Sequence, residues 1–92
     1  MNISPRYRAE LAERKRLKNQ LLDEQLEEFG YNFCMTCGRS GLWLSLSHVI
    51  PVSRGGETSK DNCILEDIFC HQRFEKKPEE RPAEFHGIKV VE

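Results

Sequence analysis

No stretch of this chain approaches the ~20 consecutive apolar residues that a membrane span needs, so no membrane role is expected. The first twenty residues are polar and charged and lack the apolar centre of a secretory signal, which points to a reducing cytoplasmic compartment. An excess of charge is also missing: the formal net charge is −1, so overall charge does not argue for a nucleic-acid partner. There is no internal repeat. At 92 residues the chain can bury only a thin core, and a second source of stability is expected.

Cysteine is present, and its spacing suggests what that second source is. Four cysteines occur, Cys34, Cys37, Cys63 and Cys70. In a reducing compartment metal binding is the better reading than disulfides. Cys34-Met35-Thr36-Cys37-Gly38 forms a Cys-x-x-Cys knuckle that can point two thiolates at one tetrahedral Zn²⁺. The plain alternative is a pair of buried thiols.

Residues 5–29 read as one long helix. Ser4 suits the N-cap, Pro5 the first helical position and Gly30 the C-terminal stop. Leu11, Leu17, Leu21, Leu22, Leu26 and Phe29, with Tyr7, give it a loose apolar stripe, weakest at its start, so the first turns are expected to project. Charge is polarised along this segment. Arg6, Arg8, Arg14, Lys15, Arg16 and Lys18 outnumber Glu10 and Glu13, whereas Asp23, Glu24, Glu27 and Glu28 follow without a cation. The basic turns are either a solvated face or a phosphate-contacting arm.

Three segments are expected: a helix over 1–30, a compact domain over 31–77 and an extended tail over 78–92. In the compact domain a first strand is read at Leu42–Val49, and a Gly-, Pro- and Ser-rich loop at Pro51–Asp61. A second strand follows at Cys63–Leu65, and a helix at Asp67–Lys77 stopped by Pro78. The tail is expected to pack through Phe85, Ile88, Val90 and Val91. Trp43 and Phe69 are expected in the core, and His86 carries no functional expectation.

Three polar residues carry the chemistry. His48 ends the first strand, Asn62 starts the second and His71 lies early in the following helix. A hairpin with the helix packed over it brings them to one cleft. Phosphodiester hydrolysis needs a base near neutral pH and a counter-charge for the phosphate and the leaving oxygen. His48 suits the base, Asn62 a brace for the loop and His71 a divalent-metal ligand. His71 also adjoins Cys70, but neighbours on a helix point ~100° apart, which favours separate metals. Arg54 and Lys60 on the loop, and Arg73, Lys76 and Lys77 on the helix, are either phosphate contacts or ordinary surface.

Ser47-His48-Val49-Ile50-Pro51-Val52-Ser53-Arg54-Gly55-Gly56, then Thr58, Asp61-Asn62 and Cys70-His71, resembles the HNH endonucleases of the ββα-metal, or His-Me finger, group. The preceding Cys-x-x-Cys is similar to the zinc-bearing subset. The resemblance covers ~40 of the 92 residues and leaves out the leading helix and the tail. It implies an α+β fold and a DNA-cleaving enzyme using Mg²⁺ or Mn²⁺ and leaving 5′-phosphate and 3′-hydroxyl ends. It places the general base at His48, the loop-holding amide at Asn62 and the helix ligand of the catalytic ion at His71. Small proteins of this kind are common in phage and bacterial genomes, some serving DNA packaging or restriction.

Two positions depart from the family pattern. The residue before the base is usually an acid or a histidine that also binds the ion, and here it is Ser47, a weak ligand or one acting through water. Zinc-bearing relatives place a second Cys-x-x-Cys before the helix histidine, and here it reads Asp67-x-x-Cys70. The expected zinc set is Cys34, Cys37, Asp67 and Cys70, with Cys63 as the other candidate for the fourth ligand. The competing functions are a non-catalytic, zinc-stabilised nucleic-acid-binding finger and an accessory module docking a protein partner through the N-terminal helix. Arg14 and Arg16 are that helix's candidate DNA contacts.

Overall fold

The computed structural model describes residues 4–82. The chain runs α1 (Pro5–Phe29), β1 (Leu44–His48), a 3₁₀ turn (Val52–Arg54), β2 (Cys63–Asp67), α2 (Ile68–Lys76) and a second 3₁₀ turn (Pro78–Glu80). This is an α+β fold: a two-stranded antiparallel hairpin with one helix packed on it and a long helix leading in.

Local chemistry explains the limits of α1. The Ser4 hydroxyl accepts from the Tyr7 amide at 3.2 Å, and Pro5 stands where no N–H is needed. Gly30 ends the helix at φ 82°, a left-handed conformation that favours glycine, and donates to the Leu26 carbonyl. The apolar stripe is narrower than expected. Leu17 and Leu21 are buried, whereas Tyr7, Leu11, Leu26 and Phe29 are exposed. Beside those leucines the helix docks through a polar group, Gln25, which is itself buried. Its amide donates to the Phe33 carbonyl at 3.0 Å and accepts from the Phe33 amide at 2.9 Å. Nor do the basic first turns all project, because Glu10 reaches the loop after β1 and Arg14 the cleft.

The strands pair in register from Leu44↔Asp67 to His48↔Cys63. β1 is shorter than its sequence suggested, and β2 is longer, running on through Glu66 and Asp67. Both carboxylates are fully buried, and each is partnered. Asp67 is not the first helical residue but the N-cap of α2, its Oδ1 accepting from the Cys70 amide at 2.8 Å. Leu17, Leu21, Leu44, Leu65, Cys70 and Phe74 join α1, the hairpin and α2 in one core.

Trp43 and Phe69 correct the core expectation: they are 76% and 59% exposed. Cys70 and Phe74, four residues apart, form the buried face of α2, and Phe69 points about 100° away from Cys70. Trp43 precedes β1 and carries the Lys18 ammonium 5.1 Å from its ring centre. The beginning of the expected tail is not separate from the body, since Arg81 is inserted against β1 and β2. Phe85, His86, Ile88, Val90 and Val91 lie outside the described residues. Among the described residues no helix is long and apolar enough to cross a membrane.

Candidate active site and metal centre

The knuckle is a tight hairpin held to β2. Cys34 donates its amide to the Arg39 carbonyl, Gly38 turns back onto the Cys34 carbonyl, and the Met35 amide donates to Leu65 on the strand, each at 2.8 Å. This seats Cys34 and Cys37 beside Asp67 and Cys70 at the β2–α2 junction. The four ligand atoms all lie within 4.8 Å of one another. Cys63 stands apart, its thiol facing the Glu57 carbonyl at 3.9 Å. The carboxylate of Asp67 is shared between two tasks: one oxygen caps α2, and the other accepts from the Cys37 thiol at 3.0 Å.

Burial pushes the Cys34 and Cys70 thiols up. Burial also acts to raise Asp67, but hydrogen bonds from the Cys37 thiol and the Cys70 amide outweigh it and hold the carboxyl below its usual range. Three sulfurs and one carboxylate oxygen, clustered and mostly buried, suit a structural metal such as zinc, which would take up the thiolates as their protons leave.

The second site is a cleft of about 450 Å³. Ser47 and His48 reach it from β1, His71 and Glu75 from α2, Arg14 from α1, and Arg81 from the segment after α2. Ser47 is buried, and its hydroxyl lies 2.5 Å from His71 Nδ1. That contact engages one ring nitrogen and leaves Nε2 toward Glu75, whose Oε2 is 3.8 Å away. An imidazole nitrogen and a carboxylate at this separation suit a Mg²⁺- or Mn²⁺-class ion, which keeps several waters and needs few protein ligands. His48 is partly buried, and Nε2 lies 2.9 Å from the Thr58 hydroxyl. Burial holds its pKa below the ordinary 6.5, aided by the Arg14 and His71 charges and opposed by Glu10.

Asn62 ties the loop between the two strands. Its Oδ1 accepts from the Ile50 amide at 2.8 Å, and its Nδ2 donates to the carbonyls of Ile50 and Glu57 at 3.1 and 2.9 Å. This amide does not itself touch either histidine ring; it fixes the backbone just beyond His48. Gly56 makes the same closure from the other side, because a Cβ there would overlap the Ile50 carbonyl.

The basic candidates divide. Arg14 lines the cleft while paired to Glu10 at 3.1 Å. Arg16 pairs with Glu13, and Lys60 with Glu24 at 2.8 Å. Arg54 is exposed at the end of the 3₁₀ turn, and Arg73, Lys76 and Lys77 are exposed at the end of α2. Phe69, Arg73 and Lys76 share one outer face of that helix by their spacing.

Four residues of this region were not singled out from the sequence. Glu75 had a signal, being four residues after His71 and thus on the same helix face. Glu66 had one too, as an acid inside a buried apolar run that requires a cation. Its partner is Arg81, 2.8 Å away, which also donates to the His48 and Val49 carbonyls at 3.0 and 3.2 Å. Glu10, which accepts from the Thr58 hydroxyl, had no local signal.

Comparison with protein families matches residues 34–77 to the model described as HNH endonuclease. The comparisons with curated proteins and with solved structures found no match.

Proposed function

Residues 34–77 belong to the HNH endonuclease family, and from that premise we propose that the protein hydrolyses phosphodiester bonds in DNA with the help of a divalent ion. The observation that supports this most is the shared cleft, in which a neutral-leaning histidine on β1 faces a serine-braced histidine on α2.

His48 acts as the general base. Kept uncharged by burial and by Arg14, it accepts a proton from water near neutral pH. Asn62 keeps the loop beyond it closed, which holds the end of β1 in place. His71 Nε2 and the Glu75 carboxylate hold the Mg²⁺- or Mn²⁺-class ion, with Ser47 orienting the ring rather than ligating. When bound, that ion neutralises the phosphate and the departing 3′ oxygen. Arg14 and Arg81 line the cleft walls, each paired with a carboxylate, and Arg54, Arg73 and Lys76 give salt-sensitive attraction to the backbone of DNA. Cys34, Cys37, Asp67 and Cys70 hold Zn²⁺ and make up for the thin core.

Supercoiled plasmid incubated with the purified protein and Mg²⁺, Mn²⁺ or EDTA tests this reading. Metal-dependent nicking that is lost in His48→Ala is the expected result. The competitor is a finger that binds DNA without cutting it, a reading that follows from Ser47 standing directly before His48 where the resemblance implies an acid or a histidine. DNA binding without nicking under any metal would establish that competitor instead.

A further inference from the structure

Three elements meet at His48: the end of β1, the loop at Thr58, and Glu10 on α1, well outside the matched 34–77 segment. His48 Nε2 lies 2.9 Å from Thr58 Oγ1, and that hydroxyl donates to Glu10 Oε1. Arg14 Nε donates to the same carboxylate oxygen at 3.1 Å. A hydroxyl has one proton and two lone pairs, and an ionised carboxylate can only accept. Hydrogen bonds from Thr58 and Arg14 hold the Glu10 carboxyl below its usual range, so it is ionised near neutral pH. The single Thr58 proton is therefore spent on Glu10. Toward His48 the hydroxyl can only accept, which requires a proton on Nε2.

We propose that Glu10 is a positioning residue that acts through Thr58 to hold neutral His48 as its Nε2–H tautomer, leaving Nδ1 as the atom that takes the proton from the attacking water. The proposal rests on His48 being the general base. In the step, one water proton passes to Nδ1 and the water oxygen bonds to phosphorus. The bond from phosphorus to the 3′ oxygen breaks with its electron pair on that oxygen, which takes a proton from solvent. The ring that results is an imidazolium whose Nε2–H still points at Thr58, with the Glu10 charge one hydrogen bond beyond. An orienting group behind a histidine base sets which nitrogen is free, and here the fold supplies that group from the leading helix.

The test is long-range ¹H–¹⁵N NMR of the His48 ring in the full-length protein at alkaline pH, read beside plasmid nicking. Wild type is expected to show a protonated Nε2 and a bare Nδ1. Thr58→Val removes the acceptor and should give a mixture of tautomers with nicking down about 10- to 100-fold, the usual cost of losing an orienting partner. Thr58→Ser should restore both. Glu10→Gln, on a partly exposed helix face where folding is not at stake, should shift the mixture in the same direction as Thr58→Val. A wild-type ring protonated at Nδ1, or a tautomer unchanged in both Thr58→Val and Glu10→Gln, overturns the proposal. The spectrum decides the relay whether or not DNA is cut. An Nε2–H ring in a protein that never nicks overturns the nuclease reading alone.

Discussion

Ser47 stands where the HNH resemblance implies an acid or a second histidine, and here the side chain is a hydroxyl. It is buried against His71 Nδ1, where an unpaired carboxylate would be costly without a cation. Ser47→Asp is therefore expected to act in opposite directions. With metal present, an added charged ligand should lower the concentration for half-maximal nicking by about tenfold, roughly 1.4 kcal/mol. Without metal the variant should melt at a lower temperature than wild type. A metal requirement that stays the same or rises would show that this position is not a missing ligand. His48 supports a second expectation. Its folded pKa lies below the unfolded 6.5, so as pH falls the folded state binds fewer protons than the unfolded state does. The stability and the free base that His48 contributes are both complete above pH 6.5 and are lost as pH drops through the lower, folded value. The acid limb of kcat/KM for nicking should accordingly lie below 6.5, and a limb at or above it would contradict a buried base beside Arg14.

Among the elements, β2 does the most to join the two sites. Thr36 in the knuckle donates to Glu66, Glu66 pairs with Arg81, and Arg81 holds the carbonyls at the end of β1. The Glu66 and Arg81 side chains are 0% and 5% exposed, so this is a buried ion pair rather than a surface one. Breaking such a pair from one side strands a charge and costs about 3–5 kcal/mol. Glu66→Leu should show that loss in its urea midpoint, and a change below about 1 kcal/mol would mean the pair is solvated. β2 and α2 also explain why the zinc candidates separate. Cys63 starts the strand and Asp67 ends it, four positions on, so only Asp67 reaches the knuckle.

At the scale of the molecule, the core is thin enough that the four-donor cluster must matter to folding. It ties the knuckle hairpin, β2 and α2 at one point. Elemental analysis of native protein should find one zinc per chain. Stripping it with a chelator should lower the melting temperature and broaden the transition, and adding zinc back should restore it. Native protein with no zinc and an unchanged melt would remove the structural-metal reading. The leading helix is part of the same body. Leu17 and Leu21 enter the core, Gln25 grips Phe33, Glu10 accepts from Thr58 and Arg14 lines the cleft.

The sequence by itself determined what depends on near neighbours. Ser4, Pro5 and Gly30 set the limits of α1, because caps act within one turn. The Cys34–Gly38 knuckle, the Gly55-Gly56 loop and the order of strand, loop, strand and helix were legible for the same reason. Only the tertiary structure decided partners far apart in the chain. It set Asp67 rather than Cys63 beside the knuckle and paired Arg81 with Glu66. It turned Trp43 and Phe69 outward and brought Glu10 across 48 residues to Thr58. Those choices depend on the angles at which elements pack. A residue's type and its spacing do not encode those angles, whereas hydrogen-bond satisfaction in the packed state selects them.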